Sequence, residues 1–259
     1  MNTTNQLDVP RGKYQGMLQI FAFNQRLYVA GAVLLVLAGI ALNWLAIEPV
    51  WKIALAACLA LTAFWMIFSL VVSHWVYDCS KIYHWTWLAE TLPQPPRHWA
   101  NIHAGLDESS PALHRLFPGT AGTILDIFDS REMTEPSIAA ARSQTTNPLS
   151  ATSADFRSLP LAVSGMDAVF LIFAAHEIRR ADSRRQFFME LSRALKPSGC
   201  VVLVEHLRDW PNFLAFGPGF LHFHSRRTWL QTARQAGFAI RQEFSITPFV
   251  RIFVLQKPL

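Results

Sequence analysis

The sequence predicts an α/β fold, a mostly parallel sheet covered by helices and ending in a C-terminal antiparallel hairpin, preceded by two transmembrane helices. Three observations carry that expectation. Two long apolar runs stand near the N-terminus, short β-type runs alternate with helical stretches from Arg97 onward, and only Thr247-Pro248 separates the last two β-type runs. Strand–helix alternation builds a parallel sheet, because each crossover helix covers one of its faces. A two-residue connection joins only antiparallel neighbours.

Residues 1–25 form the N-terminal segment. Tyr14 to Phe23 offers aromatics for an interfacial helix, with a mobile tail as the other reading. Residues 26–77 form the hairpin. Leu27 to Ile47 is broken only by Asn43, and Ile53 to Val76 only by Thr62, Ser69, Ser73 and His74. Each run exceeds the roughly 20 helical residues that cross a hydrocarbon core. A cleaved signal peptide or two buried core helices are the alternatives. Arg11, Lys13 and Arg26 precede the first run, Lys81 and Arg97 follow the second, and Glu48 and Lys52 balance each other in the connection. The positive-inside rule then places both termini, and the C-terminal domain, on the cytoplasmic side of a multi-pass inner (cytoplasmic) membrane protein.

Residues 78–96 read as an interfacial linker, with the aromatics of Trp75 to Trp87 as membrane anchors. The Pro-rich stretch Thr91 to Arg97 cannot continue a helix, so the second domain spans 97–259. Cys58, Cys79 and Cys200 lack metal-type spacing and fit a reduced compartment. The net charge of +5 resides on the flanks and on amphipathic helices with acidic neighbours. It suits an anionic bilayer surface and argues against nucleic acid as a partner.

Within the domain, strands are expected over His98 to His103, Thr123 to Phe128, Met166 to Phe173, Cys200 to Glu205, Ala239 to Ile246 and Phe249 to Gln256. Helices are expected over Ser110 to Leu116, Pro136 to Ser143, Ser183 to Leu195 and Ser225 to Ala236. In the third of these, Phe187, Phe188, Leu191, Ala194 and Leu195 recur at helical spacing, opposite Arg184, Arg185, Glu190 and Arg193. Residues 144–153, rich in Ser, Thr and Asn, read as a loop.

Three passages carry a family resemblance. Asp155-Phe-Arg-Ser-Leu-Pro160 precedes Met166-Asp-Ala-Val-Phe170; Leu195-Lys-Pro-Ser-Gly199 leads into an apolar strand; Ala236-Gly-Phe238 precedes the final hairpin. In this order they resemble the class I S-adenosylmethionine-dependent methyltransferases, of the quinone C-methyltransferase type, over about Arg97 to Leu259. The resemblance implies a Rossmann-like methyltransferase sheet and S-adenosyl-L-methionine as cofactor, with Asp155 and Phe156 flanking its adenine. The glycine-rich turn departs from the family pattern. Asn101 stands where an acidic residue is usual, His103 and Asp107 replace glycines, and Gly105 remains. Asp126 and Asp129 are the candidates for the ribose hydroxyls, since a carboxylate at a strand end accepts two hydrogen bonds.

Ligands of open α/β sheets bind beyond the C-terminal strand ends. His176-Glu177 and Glu205-His206 fall there, and His222 and His224 lie in an apolar, Gly/Pro-bent segment, 210–224, suited to a lid. Arg208 and Asp209 are expected to pair near the same rim. His176, Glu177, Glu205, His206 and His222 are the catalytic candidates, a carboxylate-oriented imidazole acting as general base. No local spacing signature indicates a metal. The expected function is a membrane-anchored methyltransferase acting on a hydrophobic small molecule, such as a quinone, isoprenoid or lipid precursor. The alternative is a non-catalytic methyltransferase-like subunit that assembles with a membrane protein complex.

Overall fold

The computed structural model describes residues 11–143 and 151–258. The chain opens with α1 (Gln15–Phe23), α2 (Gln25–Trp44) and α3 (Pro49–His74). Pro49 starts α3 at a position whose N–H has no intrahelical partner, so its missing donor costs nothing there. Both α2 and α3 are long and apolar enough to cross a membrane. Helix α2 has no buried residue, and Leu27, Trp44, Trp51 and Ile53 are 65–84% exposed. That exposure excludes the reading of two buried core helices.

The expected interfacial helix forms as α1, but it lies against α3 and α6 instead of facing outward. Its first amides, from Gly16 and Met17, donate to the Asp78 carboxylate at 2.6 and 3.1 Å, and Arg11 donates to Glu108 at 2.6 Å. A carboxylate at a helix N-terminus satisfies orphan donors and complements the helix dipole. Beyond α3 come a π turn (Trp75–Cys79), a 3₁₀ turn (Lys81–His84) and α4 (Thr86–Thr91).

The domain then runs β1 (His98–His103), α5 (Ser110–Leu116), β2 (Ala121–Asp126), α6 (Pro136–Ser143), β3 (Thr152–Ser153), β4 (Met166–Ile172), α7 (Ala181–Ala194), β5 (Leu195–His206), α8 (Trp210–Phe216), α9 (Arg226–Gln235), β6 (Ala239–Thr247) and β7 (Val250–Gln256). The sheet order is β3-β2-β1-β4-β5-β7-β6. The first five strands are parallel, and β7 inserts antiparallel between β5 and β6. Strand order reverses between β1 and β4, which opens a crevice at their C-terminal ends.

Three details differ from the sequence reading. Of the expected loop 144–153, residues 144–150 lie outside the described residues, while Thr152-Ser153 pairs with Leu125-Asp126 as β3. Strand β5 begins at Leu195, which pairs with Met166 ahead of a register shift. Of the expected anchor aromatics, Trp75 is exposed but Trp85 is core: with Ile82 and Leu88 it is at most 2% exposed and packs with Trp99, Phe170 and Val202 on one face of the sheet. Helices α7 and α9 cover the other face through Phe187, Phe188, Leu191 and Trp229. Along β5 the two sets alternate, Val201 and Leu203 facing one core and Val202 and Val204 the other, as a strand buried on both faces requires. The end of α3 is thus built into the sheet's second layer.

Candidate functional site

At the end of β1, the Asn101 amide donates to Asp107 Oδ1 (3.1 Å), Ser109 Oγ (2.8 Å) and Ser110 Oγ (2.8 Å). Asp107 also accepts the backbone amides of Ser109 and Ser110. The altered turn is therefore fastened by its own polar side chains, in a segment where glycines would leave the backbone bare. Two residues on, His103 is 8% exposed, and neither ring nitrogen has a hydrogen-bond partner among the described residues. Burial holds its imidazole below the ordinary range.

At the end of β2, Asp126 takes both Arg142 contacts, at 2.7 and 3.0 Å, and the Phe128 amide at 3.1 Å. Arg142 belongs to α6 and lies over the Phe128 ring at 4.2 Å. A Cβ on Gly105 would stand 3.2 Å from Ile138 and 3.5 Å from Arg142. Helix α6 thus lies directly over the remaining glycine of the turn. Asp129 pairs with Arg131 and Arg157, and the Arg131 amide holds its carboxyl below the usual range. Asp155 is exposed and paired with Arg157, while Phe156 is buried edge-on to Phe187.

The ends of β4 and β5 gather the other candidates. Glu205, fully buried, accepts from the His176 amide at 3.1 Å and from its Nδ1 at 2.7 Å. Glu177 Oε1 stands 3.4 Å from His176 Nε2 and 4.0 Å from His222 Nε2. Burial alone would lower the His176 pKa, but Glu205 and Glu177 raise it to about 10. Burial, reinforced by the neighbouring His176 charge, takes His222 down to about 4. Glu177 Oε2 is buried without a partner among the described residues. His206 lines the same cavity, but both its ring nitrogens are taken: its Nδ1 donates to the Phe249 carbonyl (2.8 Å) and its Nε2 accepts from the Tyr77 hydroxyl (2.7 Å). Burial pushes its pKa down to about 4.

A cavity of about 950 Å³ joins these groups to the hairpin. Its polar end is lined by Asn101, His103, Ser109, His176, Glu177 and His222. Its apolar arm runs between α1, α2 and α3 along Ile20, Leu27, Gly31, Leu34, Trp65 and Met66. The segment expected to act as a lid is ordered as α8 and a 3₁₀ turn (Gly217–His222). It packs on α3, with Phe213 edge-on to Trp65 at 5.5 Å. Gly217 has φ +53°, and a Cβ there would stand 2.7 Å from the Trp65 ring, so glycine permits this approach. Arg208 does not pair with Asp209; it donates to the carbonyls of Phe223 and Leu221, and Asp209 caps α8 through the Asn212 amide.

Sequence reasoning missed three participants. Tyr77 sat within the supposed anchors, and neither Arg142 nor Glu135, whose Oε1 is 3.6 Å from His222 Nδ1, was singled out. For Glu135 and Arg142 the only signal was position beside Pro136 and at the end of α6.

Residues 118–203 match the family model described as a methyltransferase domain. A search of curated protein sequences finds no match. Among solved structures, human N-acetylserotonin methyltransferase is similar at 14% identity over 75% of this chain and 56% of its own, with TM-score 0.52. A protein from Pyrococcus horikoshii is similar at 16% identity, 66% and 86% coverage and TM-score 0.50. The cyclase SpnF is similar at 15% identity, 67% and 80% coverage and TM-score 0.50. The likeness is one of fold, and that fold also carries a cyclase. By the matched segment and the strand order, the domain from His98 onward is similar in fold to the class I S-adenosylmethionine-dependent methyltransferases.

Proposed function

We propose that this protein is a membrane-anchored S-adenosylmethionine-dependent methyltransferase whose acceptor is a lipid-soluble small molecule of the quinone, isoprenoid or lipid-precursor class. The observation that carries this reading is the continuity of the cavity from the strand ends into the apolar space between α1, α2 and α3. A hydrocarbon tail would lie along Leu27, Gly31 and Trp65 while its polar head met His176, Glu177 and His222. Entry from the bilayer spares such a substrate the cost of crossing water, which at about 0.8 kcal/mol per CH₂ is large for a long chain. The exposed apolar surfaces of α2 and α3 support the anchoring.

The residues present fit the cofactor at one end and are covered at the other. The cavity reaches Asn101, His103, Gly105 and Ser109, room for a methionyl group beside hydrogen-bonding side chains. Asp126 has the right position and chemistry for ribose hydroxyls, with Asp129, Asp155 and Phe156 beyond it, but Arg142 and Ile138 cover that end. When bound, the cofactor supplies an electrophilic methyl group. This chain's Glu177 and His222 would accept the acceptor's proton, with the charged His176 beside them held in place by Glu205, and His206 would fix the wall behind them. Full-length protein in lipid nanodiscs, given radiolabelled cofactor and extracted membrane lipids, should place label in the organic phase. No cofactor binding by calorimetry at millimolar concentration overturns the reading.

A second reading, a non-catalytic subunit of a membrane complex, is favoured by the Arg142–Asp126 pair and by Ile138 over Gly105. Purification in mild detergent separates the two: a stoichiometric partner without cofactor turnover supports the second.

A further inference from the structure

Two imidazoles and a carboxylate converge at the polar end of the cavity. The candidate donor atoms of His176, Glu177 and His222 lie within 4.8 Å of one another. Glu177 Oε1 is 3.4 Å from His176 Nε2 and 4.0 Å from His222 Nε2. A divalent ion held at about 2.0–2.2 Å by nitrogen and carboxylate oxygen sets its ligand atoms about 3–4 Å apart, so small side-chain rotations complete this set.

The surroundings match what such a site requires. The buried Glu205 takes the Nδ1–H of His176 at 2.7 Å, which leaves Nε2 to serve as a ligand, the usual carboxylate–histidine support of a metal. Glu135 Oε1 lies 3.6 Å from His222 Nδ1 and can do the same for the second imidazole. Glu177 is 8% exposed, and its Oε2 has no hydrogen-bond partner among the described residues. A buried carboxylate oxygen left so is costly unless it meets a cation. Arg179, which donates to the His222 carbonyl, and the charged His176 imidazole stand against three carboxylates in Glu135, Glu177 and Glu205. A divalent ion that displaces the His176 Nε2 proton would bring the local charge to balance.

We propose that His176, Glu177 and His222 bind one divalent transition-metal ion of the zinc, manganese or iron(II) class, with its open positions facing the cavity. Two histidines and one carboxylate form a three-ligand set that leaves room for substrate. The open positions would take a hydroxyl, phenolate or carbonyl oxygen and lower the pKa of a bound hydroxyl. The adjacency of His176 and Glu177, and the distance to His222 along the chain, explain why no spacing motif announced the site. The inference rests on the cluster alone and not on cofactor binding.

The test uses full-length protein in detergent, stripped with a chelator and titrated with cobalt(II) chloride in the absence of cofactor. Visible absorption and metal content after desalting are the readouts. One cobalt per chain with ligand-field bands, displaced by zinc, is the expected result. His222→Ala and Glu177→Gln should weaken binding at least about tenfold, and Glu205→Gln about 10–100-fold through lost support of His176. His98→Ala, at an exposed surface histidine, should change nothing. Near-UV circular dichroism of the metal-free variants checks folding. Should Glu177→Gln fail to fold, His222→Ala, in the partly exposed turn after α8, decides the matter. Absence of the bands, or cobalt binding equal in wild type and His222→Ala, overturns the proposal.

Discussion

The two ends of the crevice treat buried polar groups in opposite ways. Around β1 and β2, the acidic and amide side chains that the sequence singled out are consumed internally, Asn101 by Asp107 and two serines, and Asp126 by Arg142, with the neutral ring of His103 the exception. Around β4 and β5, His176, Glu177 and His222 form a tight charged cluster on the cavity, with one carboxylate oxygen left over. Polar groups satisfied by the chain hold structure, and polar groups left facing a cavity are available to a ligand. The β1–β2 end is in a closed arrangement and the β4–β5 end in an open one.

The largest effect should come from breaking the buried end. Glu205→Gln leaves His176 without its counter-charge, and removing one partner of a buried pair costs about 3–5 kcal/mol. Thermal unfolding in detergent measures it, and a loss no larger than that of Asp126→Asn would erase the contrast between the ends. Next in size is a pH effect at His206, whose pKa is about 4 in the fold against an ordinary value of about 6.5. The folded state resists its protonation, so its stabilisation is complete above about pH 6.5 and is lost as pH falls through about 4. At about 1.4 kcal/mol per pH unit this amounts to roughly 3 kcal/mol. Unfolding followed across that range should show a shallower slope in His206→Phe than in wild type.

Gly217→Ala sharpens the role of the segment after β5. A side chain at φ +53° facing the Trp65 ring should cost about 1–3 kcal/mol and loosen α8 from α3, seen as faster amide exchange in α8. The smallest expected effect on stability, and the most direct probe of the closed end, is Arg142→Ala. Freeing the partly exposed Asp126 should cost at most about 1 kcal/mol in stability, while cofactor affinity by calorimetry rises about tenfold, on the order of 1.4 kcal/mol. Unchanged or weaker binding would show that α6 does not obstruct the β1–β2 end.

Local pattern made much of this molecule legible. The bounds of β1, α5 and α6 follow directly from their residues, because alternation, Pro136 and helical spacing act within a few positions. Placement of β7 between β5 and β6 was not legible, since the short turn fixes only that the two are antiparallel. Nor was the burial of Trp85 and Leu88, because a membrane interface and a protein core both favour aromatic and apolar residues. At the site, His176 and Glu205 could be named from strand ends. Their union with His222, and the occupation of Asp126 by Arg142, depend on packing between elements distant in sequence.

The seating of α1 bears on the order in which the protein is assembled. This helix is synthesised before the groups that hold it, since Asp78 and Glu108 come 62 and 97 residues after their partners Gly16 and Arg11. It can dock only once the hairpin has formed and the first strand of the sheet has been laid down, paying the closure entropy of a long loop at that moment. Until then the chamber lacks one wall and lies open to its surroundings. A segment that leaves the ribosome ahead of its partners therefore finds its place only after them.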